Sequence, residues 1–246
     1  MTSPLIVGNW KMNGLAADLF EAAAVADALA ARSSGVRVGL CPPATLISRM
    51  AQIVAGSAVQ LGGQDCSAQR AGAFTGDISA VMLADAGASL VIVGHSERRA
   101  GHGERDAEVA AKAGAAAQAG LEPIICVGET LDERQSGRAL EVVTAQVLGS
   151  VPAALSSAFA VAYEPVWAIG TGLTPSLAEI EEMHAAIRQT LRKIGETAAR
   201  ASILYGGSVK PDNAREILHA GEVGGALVGG ASLKAADFLK IIAAAG

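Results

Sequence analysis

Residues 158–172 read AFAVAYEPVWAIGTG, an apolar run that ends in a carboxylate, a proline and a segment with two glycines. The run over residues 158–163 predicts a short buried strand, and Pro165 ends it because proline has no N–H to donate to a sheet. Glu164 therefore lies where the chain leaves the sheet. The glycines permit backbone angles that are closed to other residues. This pattern is typical of a catalytic base followed by a lid, although a solvated glutamate before an ordinary loop explains the stretch alone equally well.

Seven other short runs resemble this one and predict further strands. Several are apolar without alternation, as expected for strands buried on both faces. The eight predicted strands cover residues 5–7, 36–40, 59–61, 90–93, 123–127, 159–162, 203–205 and 226–228. Eight strands that alternate with helical segments in 246 residues predict an α/β fold, a (β/α)8 barrel. A doubly wound parallel sheet is the structural alternative.

The segments between these runs carry the 3.6-residue spacing of amphipathic helices. One apolar face comprises Leu19, Ala22, Ala23, Ala26 and Leu29, and another comprises Ile180, Met183, His184, Ile187 and Leu191. Residues 211–213, Pro-Asp-Asn, predict the start of a further helix that Gly221 closes. No serine- and glycine-rich linker or shift in composition indicates a second domain, so residues 1–246 are expected to form a single barrel domain.

The composition indicates a globular protein without a nucleic-acid or membrane partner. Hydrophobic residues make up 51% of the chain, charged residues 17%, and the net charge is −5. A mildly acidic chain argues against nucleic acid or an anionic membrane, and no apolar run approaches the roughly 18 residues that cross a bilayer. The first residues lack the features of a signal peptide. Cys41, Cys66 and Cys126 lack metal-ligand spacing and are expected to be free thiols in a reducing cytoplasm.

Polar residues and glycines follow several predicted strands at the end where barrel enzymes carry their active sites. They are Asn9 and Lys11 after the first strand, His95 and Glu97 after the fourth, Glu164 after the sixth, Gly206, Gly207 and Ser208 after the seventh, and Gly229 and Gly230 after the eighth. The pattern predicts that an amide, an ammonium, an imidazole and a carboxylate converge on one rim. The glycine pairs permit close approach of backbone N–H groups to phosphate oxygens.

Each of these side chains also has a purely structural interpretation when taken alone. Lys11 can be a solvated surface lysine, and Asn9 can cap a turn. His95 alone can be a structural histidine, but residues 96–99 can begin a short helix, whose N-terminus disfavours the charged imidazolium. A neutral His95 can donate a hydrogen bond to a substrate carbonyl. No cluster of histidine, aspartate and glutamate at ligand spacing predicts a metal site.

Together these groups indicate proton abstraction from a carbon next to a carbonyl in a phosphorylated substrate. Glu164 is the expected base, and Lys11 and His95 are expected to stabilise the oxyanion that develops. A lid closed by phosphate-binding energy would exclude water and protect the intermediate. A barrel that only binds phosphorylated metabolites is the alternative from another functional class.

Four separated segments resemble signatures of the triosephosphate isomerase family. They are residues 8–13 (GNWKMN), 93–99 (VGHSERR), 162–172 (AYEPVWAIGTG) and 205–209 (YGGSV). The resemblance extends over essentially the whole chain. It implies a TIM barrel, cofactor-independent interconversion of dihydroxyacetone phosphate and D-glyceraldehyde 3-phosphate through an enediolate, and a role in glycolysis and gluconeogenesis. A sister isomerase of a four-carbon sugar phosphate needs the same groups and stays open as an alternative.

The resemblance implies roles for individual residues. Glu164 matches the base, His95 the group that polarises the carbonyl, and Asn9 and Lys11 the groups that hold the substrate, with Glu97 behind them. The phosphate-holding positions are matched by Gly170, Ser208, Gly229 and Gly230. The lid is matched by Pro165, Val166, Trp167, Ala168, Ile169, Gly170, Thr171 and Gly172.

The family is usually a homodimer whose third loop reaches into the partner. Thr75, in the loop tip formed by residues 72–77, matches the intruding position, and Gln64 matches another interface position. Asp65 and Asp77 stand where many relatives have asparagine and glutamate.

A further departure from the family lies at the end of the lid. Tyr205 matches a tyrosine whose hydroxyl accepts a hydrogen bond from the trailing-hinge backbone when the lid is closed. Pro175 stands at the aligned donor position and has no N–H, so this bond cannot form. Thr174 and Pro175 also predict the N-cap and the first residue of the following helix.

Overall fold

The computed structural model describes residues 3–31, 35–169 and 173–246. These residues contain eight strands, β1 (Leu5–Asn9), β2 (Arg37–Cys41), β3 (Val59–Gly63), β4 (Leu90–Val93), β5 (Glu122–Val127), β6 (Ala160–Tyr163), β7 (Ser202–Tyr205) and β8 (Gly225–Val228). Each strand pairs in parallel with the next, and β8 pairs with β1. The predicted (β/α)8 TIM barrel is confirmed. A doubly wound sheet is ruled out, because an open sheet would leave two unpaired edge strands.

Helices connect the strands around the outside of the barrel. Those in the described residues are α1 (Leu19–Ala30), α2 (Ala44–Ile53), α3 (Ala80–Asp85), α4 (Ser96–His102), α5 (Asp106–Gln118), α6 (Leu131–Gln135), α7 (Ala139–Ser150), α8 (Leu177–Ile194), α9 (Glu196–Ala199), α10 (Ala214–Leu218) and α11 (Ala235–Ala244). Short 3-10 turns cover Ala16–Asp18, Val166–Ala168 and Gly230–Ser232. The assignment of all residues 1–246 to one domain stays a prediction.

The core has two layers, which explains why the strands lack alternation. The barrel interior is filled by Leu5, Val7, Cys41, Leu90, Ile92, Ile124, Cys126, Ala160, Ala162, Leu204 and Leu227. Neighbouring strand residues such as Ile6, Val91 and Val161 belong to the layer between strands and helices. A parallel strand covered on both faces is apolar at nearly every position.

The predicted face of α8 is confirmed, because Ile180, Met183, His184, Ile187 and Leu191 are all buried. On α1 the predicted residues are buried except Ala23, which is half-buried while Val25 is buried. Burial of these stripes against the barrel holds the helices in place.

Two predicted helix starts are wrong. Residues 211–213 form a turn, and α10 begins only at Ala214 and ends at Leu218, before Gly221. The Asn213 side chain accepts a hydrogen bond from the Lys210 N–H at 2.8 Å and donates one to the Ser208 carbonyl at 3.1 Å, and such local bonds favour a turn over a helix.

The start of α8 also lies later than predicted. The N-cap is Ser176, not Thr174, and the first helical residue is Leu177, not Pro175. Ser176 forms a capping box with Glu179, whose carboxylate accepts the Ser176 N–H at 2.8 Å. This reciprocal pair satisfies two helix-terminal N–H groups, which the Thr174-Pro175 pair does not offer.

Candidate active site

A cavity of about 350 Å³ opens at the carboxyl ends of the strands. Its lining includes most of the predicted site residues, namely Asn9, Lys11, His95, Glu164, Ser208, Gly229 and Gly230. Glu97 is outside this lining, with its side chain more than half exposed, and contacts Lys11. Gly170, Thr171 and Gly172 lie outside the described residues. The barrel thus brings together side chains that the sequence separates by more than two hundred positions.

Lys11 has a strained backbone at the end of β1. Its φ is +53°, in the left-handed region that lysine rarely adopts and that costs on the order of 1–3 kcal/mol. The Asn9 side chain accepts the Lys11 N–H at 2.9 Å, and the Lys11 Nζ lies 2.5 Å from Glu97 Oε1. Lys11 is therefore held at its backbone by Asn9 and at its ammonium by an ion pair with Glu97.

His95 lies between β4 and α4, where Gly94 turns the chain with a φ of +68°. The predicted helix after His95 is confirmed as α4. The Nδ1 atom of His95 accepts the Glu97 N–H at 3.2 Å, so Nδ1 carries no proton. The remaining proton of the neutral ring is then on Nε2, which faces Glu164 at 2.8 Å. The predicted neutral, donating imidazole is supported by this contact pattern.

Glu164 is almost completely buried, with 1% of its surface exposed. Its Oε2 accepts the Ser96 N–H at 2.9 Å, and its Oε1 accepts the Ser96 hydroxyl at 3.2 Å. Burial by itself raises the pKa of Glu164, but His95, the Ser96 N–H and the Lys11 ammonium outweigh it and lower the pKa below its usual value. The site therefore holds Glu164 as an ionised carboxylate that is almost completely shielded from solvent.

The two glycine pairs differ in their surroundings. A side chain on Gly206 would meet Glu164 Cγ at 2.9 Å, and one on Gly207 would meet the Tyr205 hydroxyl at 2.2 Å. The pair at 206–207 is therefore required by protein packing. A Cβ on Gly229 would meet the first protein atom only at 3.5 Å, and one on Gly230 would meet none within 4 Å. The space beside this second pair, on the cavity lining, is open to a ligand.

The described part of the predicted lid, residues 165–169, packs onto a buried carboxylate. The Trp167 indole donates to Glu129 Oε1 at 2.8 Å, and the Val166 N–H donates to the Glu129 carbonyl at 3.1 Å. Tyr163 and Arg134 donate to the same Oε1, at 3.1 Å and 3.0 Å. Ile169 lines the cavity. Glu129 thus anchors the leading end of the predicted lid.

Sequence reasoning gave no role to Ser96 or Glu129 and missed Lys210, which is exposed and lines the cavity. Ser96 was detectable as the neighbour of His95 in the VGHSERR segment. Glu129 directly follows the Gly128 that ends the β5 run, so the strand-end rule points to it as well.

The predicted interface residues lie in different environments. Thr75 is exposed on the tip of the loop after β3. Gln64 is half-buried, and its Nε2 donates to the carbonyls of Lys11 and Cys41, both at 2.8 Å. Gln64 therefore contacts the active-site backbone within its own chain.

The described residues offer neither a cluster of metal ligands nor a membrane-spanning helix. No group of three or more His, Cys, Asp or Glu side chains there is arranged to hold a metal ion. No helix in those residues has the length and apolar character needed to span a membrane.

Comparison with known proteins adds a family assignment to this geometry. The family described as triosephosphate isomerase matches residues 4–245. The triosephosphate isomerase of Caulobacter vibrioides is 62% identical over 243 residues, which cover 98% of this chain and 96% of the relative. That of Ruegeria pomeroyi is 58% identical over 247 residues, which cover 99% and 98%.

A solved structure agrees with these relatives. The crystal structure of triosephosphate isomerase from Bartonella henselae has a TM-score of 0.90 and 47% identity, over 98% of each chain. All three relatives carry the triosephosphate name, which gives no support to the four-carbon alternative. With the matching motifs gathered around one cavity, the chain belongs to the triosephosphate isomerase family.

Proposed function

We propose that the cavity isomerises a phosphorylated triose, with Glu164 as the base and His95 and Lys11 as the groups that stabilise the oxyanion. As a member of this family the chain is an aldose–ketose isomerase. The observation that carries the residue assignment is the buried contact between Glu164 and the Nε2 of His95, at 2.8 Å on the cavity wall. Pairing a carboxylate base with a neutral histidine is the known arrangement of the family. The proposal is that Glu164 and His95 form this arrangement in this chain.

The first chemical step is removal of a proton by Glu164 from the carbon next to the carbonyl. His95 donates its Nε2 proton toward the substrate oxygen, and Lys11 opposes the negative charge that develops there. Glu164 returns its proton to the neighbouring carbon, and the hydroxyl proton moves between the two oxygens. When a substrate binds, the His95 Nε2–H donates to the substrate oxygen and no longer to Glu164. The carboxylate then loses a contact that lowers its pKa and becomes a stronger base.

The phosphate group is proposed to lie beside Gly229 and Gly230, where the cavity wall leaves space. Ser208 lies on the same wall, and its hydroxyl donates to the Ala168 carbonyl of the lid at 3.1 Å. Phosphate binding near Ser208 would therefore be linked to the lid. Gly170 is proposed as a further residue that holds the phosphate group.

Glu97 is proposed to link the two electrophilic groups. Its carboxylate pairs with Lys11 and its backbone N–H fixes the His95 ring. Asn9 is proposed to hold substrate and, through its Oδ1, the Lys11 backbone. Acid and base are both side chains in this scheme, so the reaction needs no cofactor.

A coupled assay tests the function directly. The purified chain is given glyceraldehyde 3-phosphate, and formation of dihydroxyacetone phosphate is followed. We expect turnover that far exceeds turnover of a four-carbon aldose phosphate. A folded protein without turnover would support the binding-only alternative, and equal rates on the two sugars would support the four-carbon alternative.

The chain is also proposed to act as a homodimer. Exposed apolar side chains lie on or next to the loops after β1 and β3, with exposed fractions of 97% for Met12, 75% for Leu15, 46% for Phe74 and 55% for Met82. Apolar groups exposed together on these loops support an association surface there. Thr75 and Gln64 belong to this proposed interface.

Sedimentation tests the dimer. We expect twice the chain mass for the wild type, and a shift toward the chain mass with lower kcat for Thr75→Arg. A wild type that is monomeric and active at assay concentration would contradict the proposal.

A cytoplasmic location is proposed from the cysteines. Cys41, Cys66 and Cys126 are free and buried, and burial raises the pKa of Cys41 and that of Cys66 to about 12. Unpaired thiols are typical of reducing compartments. Fractionation of the source cells would test this location.

A further inference from the structure

The left-handed backbone of Lys11 needs contacts that hold it. Other than glycine, only Lys11 and Glu222 have positive φ among the described residues. Asn9 holds the N–H of Lys11 at 2.9 Å. That bond restrains the peptide before Lys11 and leaves the peptide after it to be fixed by another group.

The second group is Gln64, which reaches Lys11 from the end of β3. Its Nε2 donates to the Lys11 carbonyl at 2.8 Å. No backbone N–H in the described residues donates to that carbonyl, so the Gln64 amide is its hydrogen-bond donor there. Asn9 and Gln64 therefore fix the two peptides that flank the strained residue.

The other N–H of the same amide donates to the Cys41 carbonyl at 2.8 Å. Cys41 ends β2, and its carbonyl also accepts the Trp10 N–H at 3.0 Å. Two carbonyl partners require two donors, so the nitrogen of the Gln64 amide must face them. One amide thereby ties together the ends of β1, β2 and β3 next to the catalytic lysine.

Gln64 does not belong to the described lining of the active-site cavity. It can affect the reaction only indirectly, through Lys11, through the Cys41 carbonyl that also holds Trp10, or through the proposed interface. A carboxylate at this position would repel both carbonyls, and a shorter amide would not reach both.

We propose that Gln64 is a positioning residue that holds Lys11 in its left-handed conformation and thereby aims its ammonium into the cavity. This inference rests on the role proposed above for Lys11. The contact lies within one chain, so the proposed role is separate from any contact of Gln64 with a partner.

The test uses the isosteric variant Gln64→Met, with 2-phosphoglycolate as the probe of the anion site. Loss of a well-placed hydrogen bond is expected to lower kcat/KM and the affinity for 2-phosphoglycolate about tenfold. Gln60→Met is the matched control, because Gln60 lies on β3, four residues before Gln64, but contacts Arg37. We expect its kcat/KM to stay within about twofold of the wild type.

A double-mutant cycle with Lys11→Met distinguishes positioning from general support of the fold. If Gln64 acts through Lys11, Gln64→Met in the Lys11→Met background changes 2-phosphoglycolate affinity by less than about twofold. An equal loss in both backgrounds would overturn the proposal. So would a loss in Gln64→Met that disappears as protein concentration is raised, since that result assigns the effect to the interface.

Failure of the proposed function gives a different result. If Lys11→Met alone leaves 2-phosphoglycolate affinity unchanged, the role of Lys11 is wrong. If Lys11→Met weakens binding and Gln64→Met does not, only the inference about Gln64 is wrong. Gln64→Asn provides a second variant if Gln64→Met does not fold, with the same expected loss. A crystal structure of either variant should show the φ of Lys11 displaced from +53°.

Discussion

The charged groups at the two ends of the barrel differ in what surrounds them. At the amino ends of the strands, Arg37 on β2 forms a two-bonded ion pair with Glu122 on β5, at 3.2 Å and 2.5 Å, and also contacts Gln60. At the carboxyl ends, Lys11 has a strained backbone and Glu164 is a fully buried carboxylate. The first arrangement neutralises charge between strands. The second keeps charge available beside a cavity, and the strained backbone of Lys11 is a cost to stability that a ligand-binding role explains.

The largest expected effect comes from removing the base. Glu164→Gln keeps the shape of the side chain but cannot accept the proton, so kcat should fall about 10²–10⁴-fold. The measurement is steady-state turnover, with circular dichroism to verify the fold. Glu122→Gln is the matched control at the other end of the barrel and should leave kcat within about twofold. Retention of more than about a tenth of kcat by Glu164→Gln would show that Glu164 is not the base.

His184, on the outer helix α8, is a buried titratable group that belongs to neither end of the barrel. Burial lowers the pKa of His184 on α8 from 6.5 to about 4, and the hydrogen bond to the Glu222 carbonyl offsets this only in part. Above about pH 6.5 the ring is neutral in both states and its contribution to stability is fully present. As the pH falls through that value toward about 4, the unfolded chain binds a proton that the folded chain does not.

The expected loss of unfolding free energy over this window is about 3 kcal/mol. Urea unfolding between pH 7.5 and pH 4.5 measures it, and His184→Gln should show a shallower decline than the wild type. His219→Gln, at an exposed position, is the control and should follow the wild type. If the unfolding free energies of the wild type and of His184→Gln declined in parallel as the pH falls, His184 would not be the group responsible for the loss.

Removal of the Tyr205 hydroxyl, the group that matches the family's contact with the trailing hinge of the lid, is expected to give a smaller effect. The Tyr205 hydroxyl is buried and has no hydrogen-bond partner in the described part of the chain, and Pro175 at the trailing hinge is buried and has no N–H. Tyr205→Phe should therefore lower kcat less than about tenfold, or ~1.4 kcal/mol. Pro175→Ala restores a donor and should make the Tyr205→Phe loss larger. A double-mutant cycle on kcat/KM measures the coupling, and either no coupling or a large loss with Pro175 present would count against this explanation.

The smallest expected effect is on the structural ion pair. Arg37→Met removes a partly exposed pair and should lower the free energy of unfolding by about 1 kcal/mol. Its kcat/KM should stay within about twofold, whereas Lys11→Met should lower kcat/KM with little change in stability. Denaturant unfolding and kinetics on both variants measure the contrast. If Arg37→Met impaired catalysis as strongly as Lys11→Met, the two ends would not differ as proposed.

The sequence by itself determined which segments form the eight strands. Strands covered on both faces must be apolar along most of their length, so each appeared as a short continuous run. The strand-end rule then located Asn9, Lys11, His95 and Glu164 on one rim. Helix starts were less predictable, because the cap at Ser176 depends on a side-chain pair with Glu179 that competes with the nearby proline signal.

Only the tertiary structure decided how the rim residues are held. Ser96 binds Glu164 across 68 positions, and Gln64 binds Lys11 across 53. These hydrogen bonds depend on the register of strands in the closed barrel, and local periodicity carries no information about that register. The left-handed φ of Lys11 is likewise unmarked in sequence, because a lysine there looks like any other. Local patterns fix which residues are buried and where strands end, whereas strain and long-range hydrogen bonds arise only when the barrel closes.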